Sequence, residues 1–401
     1  MEERLLFADL KVLDVGSWIA APVATTMLAD YGAQVIKIEA PDLGDGYRNF
    51  AEMPGTPDAD TNYTWHMDNR NKRSISLNLK SEAGRRILRQ LAAECDVYVT
   101  NLPQPMRRQW RLTFDDLAAL NPAMIYASLT AYGEKGPEGD REGFDLVAYW
   151  SRSGLMDLVH APGAPPGPAL PGMGDHPTAV TLYAGIVTAL LKRAQTGQGS
   201  HVHTSLMANG VWSASCIAQG VFADADFSNY FANQSRQFTR LLYEASDGRW
   251  LQFSMVRTDD EVDALFVALD RPDLLVNQCF ASAEARMENG EALTIELSNA
   301  LAQRSSNEWM TVFAEAGVPA ALVGQVADLC NDQQVLANAM AIPGPKGSGM
   351  ERMIKHPMNI DGLATREHAS APEQGQHTNE VLQELGYSPQ EVVKLRKDRV
   401  I

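Results

Sequence analysis

Between Lys11 and Leu129 short β-branched runs alternate with stretches of helical spacing, and that alternation leaves the chain few architectures. Strands are expected at Lys11–Val15, Gln34–Glu39, Arg73–Leu79, Asp96–Thr100 and Met124–Leu129. Helices are expected between them at Pro22–Tyr31, Ser81–Glu94 and Thr113–Leu120. Each strand–helix–strand unit makes one parallel pair, so the series predicts a doubly wound, Rossmann-like α/β sheet. Ligands of such sheets lie beyond the carboxyl ends of the strands, which points to the loops after Val15, Glu39, Leu79, Thr100 and Thr130.

Further along, the run Ala161-Pro162-Gly163-Ala164-Pro165-Pro166-Gly167-Pro168 mixes residues lacking a backbone donor with residues lacking a Cβ, and so excludes regular helix or strand. It leads to Gly174-Asp175-His176-Pro177, a helix at Thr178–Arg193 closed by Gly197-Gln198-Gly199, a strand at Ser200–Leu206 and a helix from Met207 to about Phe222. The character then changes. Leu241–Met255 reads as a hairpin turning at Asp247-Gly248. Helices follow at Glu261–Leu269, at Ser282–Gln303 with a break at Asn289-Gly290, and at Asn307–Ala316, before a strand at Ala320–Gly324. Residues 225–330 therefore form a second, smaller α+β domain. Ser388-Pro389-Gln390-Glu391 is a capping box that opens a last helix through Arg396.

The 401 residues carry a net charge of −16, which argues against nucleic acid or an anionic membrane as partner but leaves room for an anionic small molecule held by local cations. No window approaches the roughly 20 apolar residues of a bilayer span. The start, Met1-Glu2-Glu3-Arg4, lacks a signal-peptide core, and Cys95, Cys216, Cys279 and Cys330 are scattered without a C-x-x-C pair. These features suit a reducing, cytoplasmic setting. P-loop, H-E-x-x-H and G-x-S-x-G motifs are absent, and the first strand runs into Gly16-Ser17-Trp18-Ile19-Ala20-Ala21-Pro22 with a single glycine, against a dinucleotide fingerprint. His201 and His203 share a strand face, but with no third ligand nearby they read as exposed strand histidines and no metal is expected.

Asp175 stands where coil passes into helix. It either caps that helix or is a carboxylate held for chemistry, kept ionised by the helix dipole and by free N–H groups that also steady a developing oxyanion. Asn71, Lys72, Arg73, Lys80, Asn101, Arg107 and Arg108 lie near strand ends, with Lys72 and Arg73 at the opposite end of their strand. Taken together they suit a ligand with phosphates at one end and a reacting acyl group at the other; taken singly each is ordinary surface charge.

Six segments in order carry a family pattern: V-L-D-V-G-S-W-I-A-A-P at 12–22, L-A-D-Y-G-A-Q-V-I-K-I-E at 28–39, N-K-R-S-I-S-L-N-L-K at 71–80, G-F-D-L-V-A-Y at 143–149, G-D-H-P-T-A at 174–179 and H-T-N-E-V-L-Q-E-L-G at 377–386. The chain resembles the class III CoA-transferases, the family of formyl-CoA transferase, carnitine CoA-transferase and the α-methylacyl-CoA racemases. The resemblance implies that Asp175 is a nucleophile that takes CoA from an acyl-CoA as an aspartyl-CoA thioester and passes it to a carboxylic acid, with no metal. It implies that Leu77, Asn78, Leu79, Lys80, Asn101 and Leu102 hold the nucleotide part of coenzyme A and that Trp18 and Ile19 border the thioester. The family's arginine falls at Gln109, so Arg108 beside it is taken as the phosphate contact. Gly174 adjoins the nucleophile, and Asp145 matches an acidic residue close to it.

Phe144 stands where the racemases have their histidine, which favours transfer over α-proton exchange; His176 is a weak substitute for it. The alternatives are an acyl-CoA racemase or epimerase, and a catalytically silent CoA-binding protein. The resemblance further implies a large domain made of residues 1–224 and 331–401, a small domain at 225–330, and a homodimer of interlocked chains. The loop Asn229–Arg236 lacks the glycine-rich stretch of formyl-CoA transferase, and Trp18, Ile19 and Phe144 suit an acyl group larger and more apolar than formyl. Arg236 is either the receiver of a second carboxylate or a surface residue.

Overall fold

A computed structural model describes residues 4–160 and 164–401. Ala161, Pro162 and Gly163, which open the proline- and glycine-rich run, lie outside the described residues, as do Met1, Glu2 and Glu3. The chain divides into two compact units. The first takes in the chain up to Val159, Pro166–Ala218 and Gln333–Ile401, and the second is built on Gln219–Asp332.

The first unit runs β1 (Lys11–Val15), α1 (Ala20–Asp30), β2 (Gln34–Glu39), α2 (Tyr63–Asn69), β3 (Arg73–Ser76), α3 (Glu82–Glu94), β4 (Val97–Thr100), α4 (Gln104–Trp110), α5 (Phe114–Ala118), β5 (Ile125–Thr130), α6 (Leu155–Leu158), α7 (Asp175–Thr196), β6 (Ser200–Ser205) and α8 (Leu206–Ala218). The six strands pair in the order β3-β2-β1-β4-β5-β6, all parallel. From β1 the chain works outward to β3, then returns to β4 on the other side of β1. The loops leaving β1 and β4 thus depart to opposite faces and open a crevice between them.

Side chains alternate along the strands and feed two cores. Val12, Val35, Val97, Val99 and Ala127 pack against α1 and α7, whereas Leu13, Ile38, Tyr98 and Tyr126 pack against α3 and the carboxyl-terminal helices. All eleven residues of α1 are buried, Asp30 included. That carboxylate is matched by Arg70 Nε at 3.0 Å and Asn71 Nδ2 at 2.9 Å.

Several expected boundaries shift. The third strand stops at Ser76 rather than Leu79, because the Asn78 N–H turns away to the Val400 carbonyl at 2.8 Å. Helix α8 ends at Ala218, and a separate turn at Val221–Ala223 follows Gly220. Helix α7 begins at Asp175, three residues before the expected Thr178; Pro177 fits in its first turn, where no intrahelical N–H bond is needed. The short helices α2 and α4 were not anticipated, since seven residues carry too little periodicity to announce a helix.

In the second unit α9 (Tyr230–Arg236) precedes the hairpin β7 (Leu242–Glu244) and β8 (Trp250–Gln252), whose turn places Gly248 at φ +76°. Helices α10 (Asp259–Ala268), α11 (Ala283–Glu288), α12 (Gly290–Leu301) and α13 (Ser306–Ala316) lead to β9 (Ala321–Leu322), which pairs with β8. Their core holds Leu251, Phe253, Phe266, Leu297, Trp309 and Phe313. The break between α11 and α12 falls at Gly290, where a Cβ would meet the Arg236 carbonyl oxygen at 2.2 Å.

Beyond this unit come α14 (Gln333–Ala337), the pair β10 (Ala341–Pro343) and β11 (Arg352–Ile354), α15 (Thr378–Glu384) and α16 (Pro389–Lys397), which complete the first unit. The free edge of β3 is closed by this return: the Ser74 N–H donates to His377 Nδ1 at 3.1 Å and the Ser76 N–H to Thr378 Oγ1 at 3.0 Å.

Candidate active site

The crevice between β1 and β4 holds a cavity of about 460 Å³. Ser17, Trp18, Ile19 and Ala20 line it from the β1 loop, Asn101, Leu102, Pro103 and Gln104 from the β4 loop, and Leu129, Thr130 and Ala131 from the end of β5. Phe50 and Met53 come from the segment after β2, Gly143, Phe144 and Asp145 from the loop beyond β5, and Gly172 and Asp175 from the entry to α7.

The β1 loop is held in an unusual shape. Trp18 sits at φ +65°, a left-handed conformation that a bulky residue adopts only when its surroundings hold it there. Its N–H donates to Asp45 Oδ1 at 2.9 Å, and Gly46 leaves room for the indole, since a Cβ there would lie 3.0 Å from the ring. Asp45 in turn pairs with Lys37 at 2.7 Å, and Lys37 donates to the Gly16 carbonyl at 3.0 Å. Lys72 pairs with Asp14 at 2.8 Å, and all four charged side chains are shut from solvent. Burial alone would raise the Asp14 carboxyl, but Lys37 and Lys72 overcome it and hold it below its ordinary value.

Asp175 is the first residue of α7, with Gly174 as the N-cap, and its side chain caps nothing. Gly174 is required by space: a Cβ would fall 2.5 Å from the Tyr149 ring and 2.9 Å from Asp145 Cβ. The Gly174 N–H donates to Asp145 Oδ2 at 3.0 Å, while Asp145 Oδ1 accepts from the Leu146 N–H at 2.8 Å. Among the described residues no group donates a hydrogen bond to the Asp175 carboxylate. Burial, then the Asp145 carboxylate, and less strongly Asp68, push the Asp175 carboxyl up to about 7, with His176 pulling the other way.

This corrects the expectation that the helix start keeps Asp175 firmly ionised. The amides of that turn are largely committed: His176 N–H donates to the Gly172 carbonyl at 3.1 Å, Thr178 N–H to the Gly174 carbonyl at 3.2 Å, and Pro177 has none. Asp175's own N–H is the first-turn donor left without a partner among the described residues.

The model of CoA-transferase family III matches residues 7–378. The chain belongs to this family. A cinnamoyl-CoA:phenyllactate CoA-transferase of Clostridium sporogenes is 33% identical over 402 residues, covering 99% of this chain and 97% of the relative. An (R)-2-hydroxy-4-methylpentanoate CoA-transferase of Clostridioides difficile is 30% identical over 402 residues, with coverage of 99% and 100%. Among solved structures, a CAIB/BAIF family protein from Brucella suis superposes with a TM-score of 0.83 at 28% identity, covering 96% of this chain and 100% of that one. The protein is a CoA-transferase, and such enzymes take CoA thioesters as substrates.

The transferase brings Trp18, Ile19, Asn101, Leu102, Phe144, Asp145 and Asp175 to one cavity, with Gly174 directly beneath. Trp18 and Phe144 meet edge to face, ring centres 5.1 Å apart. Leu77, Asn78, Leu79 and Lys80 do not line it: Leu77 is buried in the opposite core, and Asn78 Nδ2 donates to the Arg399 carbonyl at 3.1 Å. Arg108 is exposed and pairs at 2.6 Å with Asp140, which does line the cavity.

The other polar and cationic candidates lie elsewhere. Asn71 and Lys72 are buried, Arg73 bonds Glu380 and Glu384 at 2.9 and 2.8 Å, and Arg107 is buried against Glu134 at 3.1 Å. Arg236 lies exposed in the second unit, in a polar cavity it lines with Arg240 and Arg257. His201 is half-buried rather than exposed, with Nε2 2.9 Å from Ser128 Oγ and its ring stacked on Phe114, while His203 is exposed beside it.

Two groups near the nucleophile, Asp68 and Tyr47, escaped the sequence reading. His176 Nε2 lies 3.3 Å from Asp68 Oδ1, and the Tyr47 hydroxyl donates to Asp68 Oδ2 at 2.7 Å. The only sequence signal was an aromatic and an acid in a polar stretch, which names no partner. No helix among the described residues is long and apolar enough to cross a membrane.

Proposed function

We propose that this CoA-transferase moves CoA between carboxylic acids through an aspartyl-CoA thioester on Asp175. One observation carries the reading: Asp175 is the half-buried carboxylate of the cavity to which nothing among the described residues donates a hydrogen bond. Asp145 has both oxygens engaged by backbone N–H groups, and Asp140 is paired with Arg108. A desolvated, unengaged carboxylate is a stronger nucleophile than a solvated one.

The chemistry balances without an external energy source. The Asp175 carboxylate attacks the thioester carbonyl of the donor; the C–S bond breaks, leaving a mixed anhydride and CoA thiolate. The thiolate attacks the aspartyl carbonyl, releasing the donor acid as carboxylate and leaving aspartyl-CoA. An acceptor carboxylate then attacks this thioester, expelling thiolate, and the thiolate attacks the acceptor's acyl carbon to give the new acyl-CoA and free Asp175. One thioester replaces another, so neither ATP nor metal enters the balance.

The walls favour an apolar acid. Trp18, Ile19, Phe50, Met53, Leu102 and Phe144 line the cavity, and its one lining cation, Arg141, is paired with Glu138. Among the described residues, the distal carboxylate of a dicarboxylic acid finds no free cation there. With the two relatives acting on phenyllactate and 2-hydroxy-4-methylpentanoate, this supports aryl or branched-alkyl 2-hydroxy acids as acceptors. Racemisation is disfavoured, since Phe144 cannot carry a proton and both ring nitrogens of His176 are engaged by Asp68 and the Gly172 carbonyl. The family's interlocked homodimer is carried over with this reading, and light scattering on the purified protein tests it.

The test incubates the protein with an aryl acyl-CoA and labelled free acids in deuterated water. Transfer of CoA to phenyllactate-like acids, little transfer to succinate, and no α-deuterium support the reading. Deuterium uptake without transfer overturns it, as does full activity in Asp175→Ala.

A further inference from the structure

His176 does not face the cavity, yet its surroundings decide its charge. Nδ1 lies 3.0 Å from the Gly172 carbonyl oxygen, which only accepts hydrogen bonds. Nε2 lies 3.3 Å from Asp68 Oδ1. The other oxygen of Asp68 receives the Tyr47 hydroxyl at 2.7 Å, and burial, then the Asp68 charge, raise that hydroxyl well beyond its ordinary pKa, so it stays the donor in that pair. With Asp68 as a carboxylate, two acceptors face the two ring nitrogens, and one protonation state satisfies both: the imidazolium. Gly172 makes the arrangement possible, at φ +83° and with no Cβ to press on the His176 ring at 3.2 Å.

The surrounding charges give that cation a task. Asp145 and Asp68 both act on Asp175 to keep it protonated, and His176, its neighbour in the first turn of α7, opposes them. We propose that His176, locked as an imidazolium between Asp68 and the Gly172 carbonyl, is the positive charge that keeps Asp175 ionised for attack. It is a positioning residue: it touches neither substrate nor the reacting atoms. The groups facing it are Asp68 from α2, itself bonded by Tyr47 from the turn after β2, the Gly172 carbonyl, and Asp175 on its own helix. Burial pulls the imidazole down, but Asp68, the Gly172 carbonyl and Asp175 outweigh it and push it up to about 9, so the charge persists through neutral pH.

The inference rests on Asp175 being the nucleophile, and the experiment separates the two. Wild type, His176→Gln and His176→Lys are assayed for transfer from about pH 5.5 to about pH 9, a range that brackets the titration of an imidazole and a raised carboxyl. In parallel, hydroxylamine is added with an acyl-CoA, and mass spectrometry seeks a hydroxamate on Asp175. His176→Gln is expected to move the acid limb of the transfer profile upward by roughly one pH unit, and His176→Lys to bring it back. Superimposed limbs in wild type and His176→Gln, or an equal loss at every pH, overturn the role of His176 while wild-type tagging of Asp175 stands. Absence of the tag in wild type overturns the aspartyl reading instead. Nitrogen-15 NMR of the wild-type imidazole at about pH 7.5, a unit above the ordinary histidine pKa, needs no variant: two protonated ring nitrogens are expected, and a neutral tautomer overturns the proposal.

Discussion

Ser17 and Asn101 hold each other by two hydrogen bonds, the Ser17 N–H donating to Asn101 Oδ1 at 2.9 Å and Asn101 Nδ2 to the Ser17 carbonyl at 2.8 Å. They join the β1 and β4 loops where these begin to diverge, so one side chain ties together the two walls of the cavity. Asn101→Ala removes both bonds at a cost of about 1–3 kcal/mol in local stability. Looser walls weaken substrate binding before they weaken chemistry. We expect KM for acyl-CoA to rise roughly ten-fold with kcat changed less, read by steady-state kinetics.

Asp175 burdens the fold it serves. Its carboxyl is raised from its ordinary value to about 7, first by burial and then by Asp145, so the folded chain binds that proton more tightly than the unfolded one. Stability from this group is therefore full below about pH 4 and is lost as pH rises through about 7. Asp175→Asn stays neutral throughout and is expected to gain on wild type over that window, by on the order of 1–3 kcal/mol at pH 8. Melting temperatures at pH 5 and pH 8 check this. A difference that does not widen toward pH 8 counts against a desolvated carboxylate.

The sheet was legible because its strands are dense in β-branched residues and buried on both faces, which overrides weak local signals. Asp175 was legible as a carboxylate at a coil-to-helix junction. Its charge state was not, because Asp68 lies 108 positions from His176 and periodicity does not register pairings of that reach. The cations failed for the same reason. Lys72 reads as surface charge until Asp14, 58 positions away, is seen against it in the core.

Phe144 shapes the cavity through its edge-to-face contact with Trp18. Contacts of this geometry contribute about 0.5–1.5 kcal/mol beyond area burial. Phe144→Ala is expected to lower kcat/KM several-fold for small apolar donors and to shift preference toward bulkier aryl donors. A panel of acyl-CoA donors measures that shift; an unchanged ranking means that Phe144 does not meet the acyl group.

Lys72 is held by Asp14, the Pro22 carbonyl and Asn69 Oδ1, each at 2.8 Å. Lys72→Met strips Asp14 of its nearest cation while leaving it buried, with Lys37 at 3.8 Å as the remaining one. Breaking a buried pair from one side costs about 3–5 kcal/mol. We expect hydrogen exchange in β1 and α1 to accelerate accordingly, with Asp14→Leu/Lys72→Met recovering much of the loss.

The edge of β3 is closed by His377 and Thr378, and the Asn78 N–H by the Val400 carbonyl, all of which lie after the second unit in the chain. During synthesis the sheet therefore emerges from the ribosome with an open flank, and it stays open while residues 206–376 are added. The second unit, drawn almost wholly from one continuous stretch, is free to fold first. The parallel sheet on which α7 and its Asp175 are mounted must wait with an unpaired strand, the kind of intermediate that chaperones guard against aggregation.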